Sequence, residues 1–268
     1  RRQLPFPRSY LTIEQIHSYL DMNVFAQLLN TISEKGAAYV VLIDPDNKND
    51  TVIESNVALA NQSGVDALFV GGSLIMDGRY ADRVKRIKDS AQIPVIFFPG
   101  GIGQLNSYYD AMLFMSIISG RNPHYLIGEQ VIAAPSVKDL GIETIATGYM
   151  ILDGGGGSAV EFMSGTRPIP MNRPDIAVAH ALAGQYLGME LIYLEAGSGA
   201  KKPVEIDIIK YINQAVDIPL IVGGGICTPR AAADRVEAGA AIIVTGTVTE
   251  RNSLLMKEFA KAIHWKIS

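Results

Sequence analysis

The segment PLIVGGGICTPRAAADRVEAGAAIIVTGT (219–247) decides the fold. It opens with a short apolar run and turns on three glycines. Thr228 and Pro229 then begin a helical stretch. A second apolar run, AIIV (241–244), follows and turns on Gly246-Thr247. Strands that are apolar throughout, with no polar alternation, are buried on both faces, as in a parallel sheet covered by helices. Threonine before proline is a helix start. The hydroxyl caps free N–H groups, and proline suits the first turn, where its missing N–H is not needed.

The same unit recurs upstream. The apolar runs are YVVLI (39–43), ALFV (67–70), PVIFF (94–98), AMLFMSII (111–118), ETIATGYMIL (143–152) and ELIYL (190–194). Helices are predicted over 50–63, 77–90, 123–134, 174–187, 204–216, 228–238 and 250–263. Residues 153–173, with glycines at 154–157, read as a long irregular loop. Eight βα units without a linker predict an α/β chain folded as one (β/α)8 TIM barrel over 1–268. A doubly wound open sheet is the alternative. A helix over about 13–33, within an extension covering 1–36, is expected to cap the barrel bottom. The 268 residues are close to the ~250 usual for one such barrel.

Composition narrows the function. Charged residues make up 19%, below the ~25% typical of soluble domains, which fits a largely covered sheet. Net charge is −4 and no basic stretch occurs, so a nucleic-acid partner is excluded. The one cysteine, Cys227, fits a reducing compartment. The first ten residues hold Pro5 and Pro7 and lack a secretory apolar run, so the expected location is cytoplasmic. Residues 90–109 carry no charge but are broken by Pro94, Pro99 and several glycines. Membrane contact is therefore expected to be peripheral at most.

In a barrel, chemistry collects where strands end and loops begin. Those positions hold Asp44-Pro45-Asp46, Gly71-Gly72-Ser73, Glu195-Ala196-Gly197-Ser198-Gly199, Gly223-Gly224-Gly225 and Gly246-Thr247. Glycine turns after the last three strands suit a phosphate group, because backbone N–H groups approach the anion closely. Asp44 and Ser73, on neighbouring strand ends, form a sparse oxygen set. Such a set suits Mg²⁺, which keeps waters and takes further ligands from substrate phosphates. Asp44 as a turn residue is the plainer alternative. Glu195 suits a carboxylate that takes a proton from a substrate hydroxyl. A salt bridge to Lys201 or Lys202 is its structural alternative. Tyr193 lines the pocket or fills the barrel. His17, His124, His180 and His264 lack ligand spacing and read as structural. Cys227 has no base partner.

With these residues in place, the chain resembles the geranylgeranylglyceryl phosphate synthases. The carrying segments are LIDPD (42–46), FVGGS (69–73), FFPG (97–100), YLEAGSGA (193–200), IVGGGI (221–226) and VTGT (244–247). The resemblance implies transfer of a long allylic prenyl group from its diphosphate to the primary hydroxyl of sn-glycerol 1-phosphate. It implies Mg²⁺ at Asp44 and Ser73. It implies glycerol phosphate bound by Tyr193, Leu194, Glu195, Ala196, Gly197, Ser198 and Gly199, with the phosphate on Gly224, Gly225, Gly246 and Thr247. Asp44 and Glu195 would be the catalytic pair, and the protein a homo-oligomer, dimeric or hexameric. The chain departs from some members at Leu42, where they carry a lysine. Arg167 and Arg173 are candidates for the diphosphate, with a surface role as the alternative. Phe97, Phe98, Met112, Phe114 and Tyr125 are candidates for the prenyl groove. A phosphosugar isomerase or lyase remains open, with Asp46 or Asp153 as its second acid or base. So does a non-catalytic phosphometabolite-binding protein.

Overall fold

Eight short parallel strands close into a barrel in chain order, β8 pairing back onto β1. The computed structural model describes residues 23–267. The strands are β1 (Ala38–Ile43), β2 (Ala67–Val70), β3 (Val95–Phe97), β4 (Ala111–Ile117), β5 (Glu143–Ile151), β6 (Leu191–Glu195), β7 (Leu220–Gly223) and β8 (Ile242–Thr245). Most are buried along their whole length, as apolar strands covered on both faces must be.

Alternate residues point inwards, following the two-residue period of a strand. Val40, Phe69, Ile96, Leu113, Tyr149, Tyr193, Ile221 and Val244 belong to the interior cluster. Their neighbours Val41, Leu68, Phe97, Met112, Leu194 and Val222 join the outer core beneath the helices.

The helices are α1 (Val24–Lys35), α2 (Ile53–Gln62), α3 (Tyr80–Ser90), α4 (Glu129–Leu140), α5 (Ala159–Ser164), α6 (Pro174–Tyr186), α7 (Ile206–Ala215), α8 (Pro229–Glu237), α9 (Thr247–Arg251) and α10 (Met256–Ile263). The expected start of α8 is present: Thr228 Oγ1 accepts from the Ala231 N–H and Pro229 opens the first turn. α1 plugs the barrel bottom. Its Val24 and Leu28 are buried in the interior cluster, each worth roughly 1.5–3 kcal/mol of burial. The Glu143 carboxylate at the start of β5 accepts from the Val24 and Phe25 N–H groups. The part of the predicted 13–33 helix before residue 23 lies outside the described residues.

Four expectations need correction. The third of the eight βα units is incomplete, because only a 3-10 turn (Ile102–Gln104) lies between β3 and β4. The link there, with Pro99, Gly100, Gly101 and Gly103, does not support a helix. The 123–134 helix opens with a π turn (His124–Gly128) and runs on through α4 to Gly141, whose left-handed φ of 64° ends it. The 153–173 loop contains α5, started by a Ser158–Glu161 capping box. The final helix is two pieces, broken at Asn252, whose side chain caps the Leu254 N–H.

Candidate active site

A cavity of about 860 Å³ opens at the C-terminal ends of the strands. Its polar mouth is built from two sides. On one side the turns after β6, β7 and β8 converge. Ser198 Oγ lies 3.3 Å from Thr247 Oγ1, and the Ala196 N–H donates to the Gly223 carbonyl at 3.2 Å. Gly224 has φ +82° and leans on Glu195. A Cβ at that position would sit 2.5 Å from Glu195 Oε1 and 2.7 Å from the Gly197 nitrogen. Only glycine fits there, so the middle residue of the GGG turn sets the shape of the carboxylate's surroundings.

Glu195 is the last residue of β6 and points inwards. It is 7% exposed and carries no ion pair to Lys201 or Lys202 in the structure. Its partners are neutral donors. The Gly197 N–H donates to Oε1 at 2.6 Å, and the phenols of Tyr193 and Tyr149 donate to the same carboxyl. Burial pushes its pKa up to about 7, and the three hydrogen bonds keep it from rising further. A carboxyl titrating near neutrality and facing a cavity is suited to proton transfer. Tyr149 and Tyr193 stand side by side, paired in register with ring centroids 5.0 Å apart. Phe98 packs on both, so an aromatic floor closes the barrel beneath the carboxyl.

Asp44 stands on the opposite rim, two residues after inward-facing Leu42. It is held closely against Gly72, where a Cβ would come within 2.6 Å of Oδ1. Its carbonyl accepts from Asn49 Nδ2 at 2.8 Å. Burial raises its carboxyl to about 6. Asp46 and Glu250 add to the rise and Lys48 opposes it. Ser73 lines the same cavity and is exposed. Among the described residues no cluster of three or more His, Cys, Asp or Glu side chains is placed to hold a metal. One carboxylate in a negative setting with a hydroxyl nearby still fits a magnesium ion that keeps its waters and is completed by phosphate oxygens.

From the mouth the cavity runs over the outer faces of β3 and β4. Phe97, Met112 and Phe114 point away from the barrel interior, yet they line the cavity together with Phe98, Tyr125 and Ala133. They do so because only a 3-10 turn, and no helix, links β3 to β4, while the π turn and α4 wall the far side. All five aromatic and methionine residues read as groove candidates line the cavity, Phe98 and Tyr125 from the side of the interior cluster.

The model of the PcrB family matches residues 29–263. The chain belongs to the PcrB family. A geranylgeranylglyceryl phosphate synthase of Chitinophaga pinensis is 44% identical over 227 residues, covering 85% of this chain and 90% of that protein. One from Thermococcus gammatolerans is 45% identical over 225 residues, covering 84% and 88%. The crystal structure of (S)-3-O-geranylgeranylglyceryl phosphate synthase from Thermoplasma acidophilum, in complex with substrate sn-glycerol-1-phosphate, superposes with a TM-score of 0.83 at 34% identity. That match covers 89% of this chain and 98% of the other.

Within this PcrB-family chain the structure brings Asp44, Ser73, Tyr193, Glu195, Ser198, Gly199, Gly224, Gly225, Gly246 and Thr247 to one cavity. It does not bring Leu194, Ala196 or Gly197 to the wall. Leu194 has the outward parity of β6 and is packed beneath the helices. Ala196 and Gly197 are buried, and their N–H groups are given to Gly223 and Glu195. Arg167 and Arg173 are surface residues away from the cavity, and Arg173 pairs with Asp175 at 2.6 Å. His124 pairs with Glu129, and His264 with Asp66 at the barrel bottom. His17 lies outside the described residues. Sequence reasoning missed Tyr149, Lys48, Glu250 and Arg251, all on the cavity wall. Tyr149 alone carried a signal, since it shares the inward parity of β5. Lys48 sits in the turn after β1 and Glu250 and Arg251 in α9 after β8, and only the closed barrel brings them together at the mouth.

Proposed function

We propose that this chain is a prenyltransferase of ether-lipid synthesis. It joins sn-glycerol 1-phosphate to a long-chain prenyl diphosphate, geranylgeranyl diphosphate foremost, and releases pyrophosphate. The carrying observation is one cavity with a neutral-range carboxyl, Glu195, and a glycine-turn cradle at one side. Asp44 faces them across the mouth, and an apolar arm leads away.

Glycerol phosphate fits the turns of Gly224, Gly225 and Gly246 with the hydroxyls of Ser198 and Thr247 beside its phosphate. Its primary hydroxyl then faces Glu195. The prenyl chain fits the arm along Phe97, Met112 and Phe114, which leaves its C1 in the mouth and the diphosphate towards Asp44. The hydroxyl oxygen forms a bond to C1 as the bond from C1 to the diphosphate oxygen breaks. The hydroxyl proton passes to Glu195, and the electron pair leaves with pyrophosphate. Tyr149, Tyr193 and Gly197 hold the carboxyl in place, and the aromatic floor keeps water from the allylic centre. Asp44 and Ser73 would hold magnesium, which neutralises charge on the leaving diphosphate.

The isomerase or lyase alternative is not favoured. Asp153, one of its two possible second groups, is exposed and turned to the Gly155 N–H, away from the cavity. Homo-oligomer formation, as a dimer or hexamer, is supported by exposed Ile127, Val131 and Ile132 along one helical segment. No helix among the described residues is long and apolar enough to cross a membrane. A cytoplasmic location rests on the single cysteine.

The test is direct. Purified protein with Mg²⁺, a C20 prenyl diphosphate and sn-glycerol 1-phosphate should form the ether product, seen by mass spectrometry. Absence of that product would sink the proposal. Asp44→Asn should abolish turnover with the circular dichroism spectrum unchanged.

A further inference from the structure

The cavity must receive a phosphate and a diphosphate, yet its wall is acidic. Asp44, Asp46, Glu129, Glu195 and Glu250 line it, against two cations among the described residues, Lys48 and Arg251. We propose that Lys48 is a further substrate-binding residue. It is a cation shared between Asp44 and the diphosphate, and its diphosphate role rests on the prenyltransferase reading above.

Its geometry sets it apart from the other paired cations. Lys48 Nζ lies 3.7 Å from Asp44 Oδ2 and 3.6 Å from Glu250 Oε2, both beyond hydrogen-bond length. The ion pairs of Arg83 with Asp77, Arg86 with Glu54 and Lys88 with Asp110 are all 2.6–2.8 Å. The Lys48 side chain is 57% exposed. Its backbone is nonetheless fixed. The short turn Asn47–Asn49 is anchored by Asn49 Nδ2, which donates to the Asp44 carbonyl at 2.8 Å and to Glu250 at 3.2 Å. A fixed base with a flexible four-carbon stem lets the ammonium change partners.

Two states follow. Without a divalent ion, Lys48 balances Asp44 and Glu250. A divalent ion at Asp44 repels the ammonium from that carboxylate, and the nearest strong anion is then the bound diphosphate. Lys48 thereby competes with the metal when substrate is absent and assists the metal when substrate is present.

Direct binding of Mn²⁺ to the full-length protein without substrate, followed by the electron paramagnetic resonance of free Mn²⁺, tests the first state. Lys48→Met should bind Mn²⁺ about three- to five-fold more tightly than wild type, the strength of an exposed ion pair. Lys48→Arg should match wild type. Steady-state kinetics at saturating Mg²⁺ test the second state. In Lys48→Met the KM for prenyl diphosphate should rise about tenfold or more, as a charge-assisted contact implies, with the KM for glycerol phosphate unchanged. Lys48→Arg should recover most of the loss. Unchanged or weaker Mn²⁺ binding in Lys48→Met overturns the competition. An equal rise in both KM values overturns the diphosphate role. If wild type itself shows no turnover, the prenyltransferase reading and the diphosphate role fail together. The Mn²⁺ measurement still decides whether Lys48 and the metal compete for Asp44.

Discussion

Glu195 concentrates the chemistry in one buried carboxyl, and its environment makes function and stability pull in opposite directions. Burial raises its pKa from an ordinary 4.5 to about 7. The folded protein therefore binds the proton more tightly than the unfolded chain. Stability from this group is fully present below pH 4.5 and is lost as pH rises through 7, by about 3 kcal/mol at most. In the proposed mechanism turnover moves the other way, because Glu195 takes the proton as a carboxylate, so kcat/KM should climb through pH 7. Glu195→Gln keeps an oxygen for the Gly197 N–H and removes the titration. It should melt higher than wild type at pH 8 and close to wild type at pH 5, while losing about 10²–10⁴ in kcat. Thermal melts at both pH values with matched kinetics check this. A variant no more stable at pH 8 would remove burial as the cause. Gly224 is the companion case. Alanine there meets both a left-handed φ and Glu195 Oε1, so Gly224→Ala should destabilise by about 1–3 kcal/mol. It should also raise the KM for glycerol phosphate, read from denaturant midpoints and initial rates.

The loops bearing Asp44 and Ser73 are joined through one helix. Arg83 on α3 is almost fully buried, and its fork donates to both Asp77 oxygens at 2.8 Å while Nε reaches Asp50 at 3.2 Å. Asp50 follows the β1 turn and Asp77 follows the β2 turn, so one guanidinium spans the two segments that carry Asp44 and Ser73. Arg83→Met should lower the urea midpoint and reduce kcat/KM by about ten- to a hundred-fold through misplacement of Asp44. Unfolding curves run with initial rates check it, and an unchanged kcat/KM would confine Arg83 to stability. At this scale the sequence was legible wherever one physical signal acted alone. The strands stood out as apolar runs, and α8 as Thr228-Pro229. The α5 helix was hidden among glycines although Ser158 and Glu161 carry its capping box, because a tetraglycine is the stronger local signal for a loop. Lys48 and Glu250 were illegible for another reason. They lie 202 residues apart, and only closure of β8 onto β1 brings them within 3.6 Å.

Between β3 and β4 the molecule departs from a regular barrel, and that departure gives the cavity its apolar half. With no helix between β3 and β4, the cavity reaches side chains that also belong to the core. Phe97, Met112 and Phe114 have outward parity and the composition of buried residues, and so looked like ordinary packing in the sequence. The polar half was legible because a barrel gathers its chemistry where strands end, and those positions hold the glycine turns and carboxylates. Parity also explains why Leu194 was misplaced, since a motif read as a continuous string ignores that alternate residues of β6 face opposite ways. The arm is bounded by α4, where Ala133 lines the cavity at 9% exposure. Ala133→Phe adds a ring to that wall without touching Glu195, Asp44 or the glycine turns. Its effect should depend on donor length. A C20 donor should lose tenfold or more in kcat/KM, about 1.4 kcal/mol or more of lost binding, while a C10 donor that stops short of Ala133 keeps its rate. Product yields across C10, C15 and C20 donors measure this. Equal losses on all three would mean that the chain does not run along α4, and the apolar arm beside β3 and β4 would then need another occupant.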